Sequence, residues 1–383
     1  MSLLLPGRGP LASPLGPNVP ARQAQAAPPP ILVPPAPQAA APPPTPQQNQ
    51  AALLYSRGWE QPIDSSDGMT VAVSAKLVFV GGRSLQLSAR NMTDGVAVWT
   101  SPLKPTAPLV AGAGLLFVQT DDRLSALDES TGAARWSVPV AGSPGPVFHE
   151  TVILLPNKTG LQALRAADGT EAWKQELGRP SAIRPSVDGK VIYAALDDKT
   201  LVALDLASGA VRWRAPQALQ ASSLSASTGM VAMGTVEGYF CAARQLTGVM
   251  AWCYPSLDGP ATVRAQIAGA PVRQGKKFYV ALLDNTLRTF NAGSGALLQR
   301  EPLPARPAAD PRPVGAWLVV PLSSGQFALF SLATGKAVAL LAPPREIATL
   351  QAAAISADGS VLVSLTVSPG DLRVLATYFK KTP

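Results

Sequence analysis

The chain has 383 residues, enough for one large domain or two ordinary ones. Its 32 Lys and Arg against 24 Asp and Glu give a formal net charge of +8, with acidic residues interspersed among the basic ones. There is no Lys/Arg cluster or basic helix face of the kind that binds nucleic acid. Outside the proline-broken start, no apolar run of roughly eighteen residues offers a membrane-spanning helix.

Residues 1 to 50 hold 15 of the 39 prolines, in runs such as AAPPPILVPPAPQAAAPPPTPQQNQ. Arg8 and Arg22 are the charged residues there, so +2 of the +8 belongs to this stretch. Without aromatics or an amphipathic period it has nothing to pack, and is expected to be disordered or polyproline II. The chain therefore divides into a Pro/Ala-rich tail over residues 1–52 and a folded unit over 53–383. The start, MSLLLPGRGPLASPLGPNVPARQ, makes a poor secretion signal. It lacks a basic n-region, reaches a proline after three leucines and has no cysteine for lipid attachment. Read alone, it points to a cytoplasmic protein or to a gene start other than the one given.

Beyond the tail the chain repeats itself. Turn glycines stand at Gly95, Gly132, Gly169, Gly209, Gly248, Gly295 and Gly335, at intervals of 37, 37, 40, 39, 47 and 40 residues. Four positions after the first five come Trp99, Trp136, Trp173, Trp213 and Trp252. Eight positions before each glycine the residue is apolar: Leu87, Leu124, Leu161, Leu201, Phe240, Leu287 and Phe327. A period near forty, carried by short β-rich runs, predicts a β-propeller of four-stranded antiparallel blades. One copy illustrates it: APLVAG as inner strand from Ala107, GLLFVQT as second, RLSALDE as third, STG as turn and AARWSVPV as outer strand. Each tryptophan is read as a packing residue against the next sheet, needing one acceptor for its N–H.

The last copy ends with three β-like runs, ATLQAAAIS, SVLVSLTV and DLRVLATYF, and lacks a fourth strand. At the other end, YSRGWEQPI places Trp59 one period, 40 residues, before Trp99. The N-terminal strand is therefore expected to complete the final sheet. This makes an eight-bladed, all-β ring with no exposed edge at its joint.

The pattern apolar-x-A-L-D-x-x-T-G-x-x-x-W, as in Leu124 to Trp136 and Leu201 to Trp213, resembles the pyrroloquinoline quinone (PQQ) repeat over roughly residues 55–380. That resemblance implies one of two functions. One is a non-catalytic scaffold of the outer-membrane protein assembly factor B type, with a protein partner such as an outer-membrane assembly component, in the periplasm or cell envelope. The other is a PQQ- and calcium-dependent quinoprotein dehydrogenase acting on an alcohol or sugar. Such dehydrogenases carry long insertions and often a disulfide between adjacent cysteines. Here the repeat intervals are short and Cys241 and Cys253 lie twelve apart, so the scaffold, a monomer with no cofactor, metal or catalytic residue, is the expectation. A small ligand in the central channel is a third reading.

Other chemistry has little to stand on. His149 is the single histidine, and neither a phosphate loop nor a G-x-S-x-G elbow is present. Cys241 and Cys253 flank one hairpin on paired strands, either as a disulfide or as two buried thiols. In a propeller, second-to-third strand loops share a rim with the links between blades. Four such loops have polar tips: Asp121, Asp122 and Arg123; Asp197, Asp198 and Lys199; Glu237; Asp284 and Asn285. They read either as a partly acidic docking rim or as tight turns facing water.

Overall fold

The computed structural model describes residues 55–64, 67–140, 144–255, 265–341, 349–356, 359–368 and 371–379. The tail expected over residues 1–52 lies outside them. Eight four-stranded antiparallel sheets make up the ring. Blades 1 to 7 occupy residues 70–101, 110–139, 147–176, 186–216, 221–255, 272–302 and 312–341, each in simple sequential order. Blade 8 takes three strands from residues 349–379, and its outer strand is Tyr55–Pro62. That strand runs antiparallel to Asp371–Phe379, with Tyr55 opposite Phe379 and Pro62 opposite Arg373. Among the described residues no helix is long and apolar enough to cross a membrane.

The core is divided among the eight seams. Phe79, Leu87, Leu116 and Val118 join blades 1 and 2, and Tyr193, Leu201, Val231 and Met233 join blades 4 and 5. The ring closes where Val363, Leu365 and Val374 of blade 8 meet Val71, Val78 and Val80 of blade 1. Middle strands such as Leu77–Gly81 and Leu115–Gln119 are buried throughout, because each sheet has a neighbour on both faces.

Each tryptophan bolts its blade to the next. The indole N–H of Trp59 donates to the Met92 carbonyl at 2.7 Å, Trp99 to Glu129 at 2.8 Å and Trp136 to Ala166 at 2.8 Å. Trp173 donates to Leu206 at 2.9 Å, Trp213 to Gln245 at 2.9 Å and Trp252 to Ala292 at 3.1 Å. Its ring then lies flat on the next blade's turn glycine, leaving no room for a Cβ at Gly95, Gly132, Gly169, Gly209, Gly248 or Gly295. These glycines also sit at φ of 70–73°, a region other L-residues rarely enter. The repeat thus keeps Gly and Trp together because they touch across a seam. Blades 6 and 7 have Gln299 and Ala339 at the tryptophan position. Gln299 packs on Gly335, and Ala339 faces a blade whose third and fourth strands are joined by no hairpin.

The aspartate of the repeat organises the same turn. Asp205 accepts the backbone N–H groups of Ala207 and Ser208 and pairs with Arg212 at 2.6 Å. The Arg212 guanidinium, followed by the Ser208 amide, holds the Asp205 carboxyl at about 2. Asn91 and Asn291 fill the equivalent place with neutral acceptors for the same amides.

Inner strands are shorter than the APLVAG reading. In blade 2 the inner strand is Val110–Gly112. Pro108 has no N–H for a ladder, and Leu109 donates instead to Thr70 of blade 1. In blades 4, 6 and 7 the innermost segment is split. Isolated bridges Ser181–Leu196, Ile267–Leu282 and Pro307–Leu322 precede the strands Ser186–Asp188, Val272–Gln274 and Arg312–Val314.

Two outcomes follow. Trp173→Ala is expected to cost about 3–5 kcal/mol in urea unfolding, and Gly209→Ala to cost less in that background than in the wild type, because its main clash has gone. Asp205→Asn keeps the turn but loses the ion pair. A depressed carboxyl stabilises fully above its ordinary value near 4 and loses that contribution as pH falls through about 2. The melting-temperature gap between wild type and Asp205→Asn should therefore narrow from pH 5 to pH 2.

Candidate functional site

The second-to-third strand loops and the interblade links share one face and are stitched together through their backbones. Asp197 N–H donates to Pro180, Val236 to Gln220, Leu283 to Gln266 and Ser323 to Arg306. On the exit side, Val140 donates to Asp122, Gln217 to Lys199 and Leu303 to Asn285. The tips are therefore held by the ring, and Lys199 and Asn285 take φ of 67° and 61° to make the turns.

The charged tips divide into two groups. Asp197 pairs with Arg179 of the preceding link at 2.9 Å, and Asp198 accepts the Thr200 amide at 3.0 Å. Glu237 receives the Gln220 amide on both oxygens at 3.2 Å and stands 4.0 Å from Lys199. Asp284 is the counterion of Arg288, which lies 1% exposed inside blade 6 and donates to it at 2.5 Å. Those carboxylates hold loops and a buried cation. Asp121 and Asp122 differ: both are exposed, and with Arg83, Lys104, Thr106 and Thr120 they line an open cleft of about 400 Å³ between blades 1 and 2. Arg123 beside them is tied down to Ser137 at 2.8 Å. Arg83 and Lys104 escaped the sequence reading because one lies on a second-to-third loop without acidic neighbours and the other on a link, so neither belongs to a pattern.

Cys241 and Cys253 sit directly opposite on the third and outer strands of blade 5, with Cα atoms 4.1 Å apart and their sulfurs joined. Cys241 is buried in the seam between blades 4 and 5. His149 ends the inner strand of blade 3 beside Glu150, at 3.8 Å. Among the described residues no three His, Cys, Asp or Glu side chains converge as a metal would require. A calcium–quinone centre needs a clustered set of oxygen ligands, and the described acidic side chains form no such set.

Residues 56–180 and 156–311 match the family described as outer membrane protein assembly factor BamB, together well over half of the chain. The chain belongs to this PQQ-like propeller family. Its similarity to BamB of Yersinia pestis is 26% identity over 166 residues, covering 38% of this chain and 42% of that protein. The chain spans less than half the length of the curated relatives it matches. Among solved structures, BamB from Moraxella catarrhalis is 17% identical with a TM-score of 0.50, covering 72% of this chain and 97% of that one. Quinohemoprotein alcohol dehydrogenase ADHIIG from Pseudomonas putida HK5 is 12% identical with a TM-score of 0.64, covering 86% and 77%. At such identities both structures share the fold alone.

The sulfur pairing in this BamB-family propeller is directly measurable. Alkylation of unfolded protein without reductant should leave the intact mass unchanged, and prior reduction should add two labels. Cys253→Ala should lose about 2–4 kcal/mol under oxidising conditions and nothing relative to the reduced wild type.

Proposed function

We propose that this chain is a non-catalytic propeller scaffold of the cell envelope that docks a protein partner of the outer-membrane assembly kind on its linker face. The observation that carries this reading is the family match, which runs from residue 56 to residue 311, through blades 1 to 6. A rigid ring presenting stitched loops is a surface for recognition by shape and charge. The cleft between blades 1 and 2 suits that role, with Arg83 and Lys104 beside Asp121 and Asp122. The joined Cys241 and Cys253 agree with an oxidising compartment, where disulfides persist. A dehydrogenase is not favoured, because the described acidic side chains form no clustered set for calcium.

Photo-crosslinking in the native host tests this. A photoreactive residue at Asp121 should give a discrete adduct containing an envelope protein, whereas one at Leu246, 90% exposed on the opposite face, should not. Arg83→Glu with Lys104→Glu should weaken the Asp121 adduct at unchanged protein level. Equal adducts from both faces, or a protein that retains PQQ with Ca²⁺ and reduces dye, would overturn the proposal.

A further inference from the structure

The face opposite the links is made of hairpin turns, and its charge is uneven. In each of blades 4 to 6 the first-to-second and third-to-fourth turns lie side by side. Backbone bonds tie them, from Leu206 to Lys190, Gln245 to Gly229 and Ala292 to Lys276. The turns of blades 1 to 3 mix Asp94, Asp128, Glu129, Glu150 and Asp168 with Lys76, Arg90, Arg135 and Arg165. In blades 4 to 6 the balance tips. Lys190, Arg244, Arg273, Lys276 and Lys277 stand at the turns there. Among the described turn residues of those blades the acids are Asp188 and Asp205, and Asp205 is already paired with Arg212.

These cations belong to one surface. Asp188 accepts the Thr228 amide at 3.0 Å and the Gln245 side-chain N–H at 2.7 Å. The Lys190 turn of blade 4 therefore abuts both turns of blade 5, where Arg244 precedes Gln245. Arg273 donates to the Ser227 and Thr228 carbonyls at 2.9 Å, which brings the Lys276 turn of blade 6 against blade 5 from the other side. Lys277 donates to the Ala333 carbonyl at 2.7 Å, a neutral partner that leaves its charge uncancelled. The side chains of Lys190, Arg244 and Lys276 are exposed and have no ion-pair partner among the described residues. They lie far apart in sequence, so no basic run announces them.

An apolar point rises from the middle of this patch. Leu246 is 90% exposed and Val249 59%, on either side of Thr247 and Gly248 at the tip of blade 5. The equivalents of Leu246 at the other turn glycines are Thr93, Ser130, Ala167, Ala207, Gly293 and Ala333, all small or polar. The tip is held firmly. Gly248 N–H donates to the Arg244 carbonyl at 2.8 Å, Arg244 N–H to Val249 at 2.9 Å, and the Trp213 ring packs beneath Gly248. Two apolar side chains on a protruding turn are too few for the core of a stable protein interface. They suit a lipid surface, where any protruding chain finds hydrocarbon and the cations around it find phosphate.

We propose that the hairpin face of blades 4 to 6 docks on an anionic phospholipid surface, with Leu246 and Val249 entering the headgroup layer. Residues 1–54 join the ring on this side, at Tyr55 opposite Phe379, and carry Arg8 and Arg22 without an Asp or Glu. The cleft between blades 1 and 2 opens on the other face, so docking turns it away from the bilayer. The inference stands without the partner proposed for that cleft.

Flotation of the full chain with vesicles tests this. Vesicles of phosphatidylglycerol and phosphatidylethanolamine should carry the protein, phosphatidylcholine vesicles should not, and raised salt should weaken the binding. Lys190→Gln with Lys276→Gln should weaken it about twentyfold, from about fivefold for each cation. Leu246→Ser should weaken it about fivefold with no change of charge. Arg83→Gln with Lys104→Gln, on the link face, should leave it unchanged. All the substituted side chains are exposed, so each variant should melt with the wild type. No vesicle binding, equal binding to phosphatidylcholine, indifference to Leu246→Ser or to the lysine pair, or an equal loss from the link-face pair would overturn the proposal. So would retention on polyglutamate without vesicle binding, which would assign the patch to an acidic protein.

Discussion

A tryptophan lying flat on the next blade's glycine is the contact on which this ring depends. Neither partner works alone. The indole needs a backbone carbonyl and a surface with no Cβ, while the glycine needs a neighbour that shields its hairpin. The same contact explains its own exceptions. At the seam from blade 7 to blade 8 no hairpin joins the last two strands, so a ring at Ala339 would have nothing equivalent to cover. At the seam from blade 8 to blade 1 the hairpin of Gly95 is present, and Trp59 covers it from a strand at the other end of the chain. Tyr378 adds a second donor to the same Met92 carbonyl at 2.7 Å. The joint of the ring is thereby held by two aromatic side chains from opposite termini of the fold.

Much of this architecture was legible because it is periodic. Trp59 stood out by lying one interval before Trp99, and that alone directed the first described strand to the last blade. What lay outside the period was hidden. The counterion of Asp284 is Arg288, four residues on within a strand whose other positions are apolar or small. Alternation would have sent that arginine to solvent, but a blade is covered on both faces and the side chain runs back to the rim to find its carboxylate. Likewise Arg83 and Asp122 line one cleft from loops of two blades. Nothing in a linear reading brings such residues together, because the ring geometry and not the local pattern decides which loops meet.

The rim illustrates a related limit. Asp197, Glu237 and Asp284 read either as docking tips or as turn residues facing water, because sequence displays composition and hides pairing. In the structure each meets a cation or a backbone amide of its own ring. Turn-forming and loop-stitching consume most of the charge that a partner might otherwise read. The residues that remain available, Asp121 and Asp122 with Arg83 and Lys104, owe their exposure to a gap between blades.

The same division bears on chemistry. A propeller axis becomes a catalytic chamber when several links converge there with ligands for a metal and a stacked cofactor. A bound calcium needs several oxygens around one point, and among the described residues no three His, Cys, Asp or Glu side chains converge. The fold shared with a quinohemoprotein alcohol dehydrogenase therefore carries no claim on its activity, since links and loops can change while the seams of the ring are kept. Stability resides in the repeat and recognition in the departures from it, and in this chain those departures lie on the links, loops and turns.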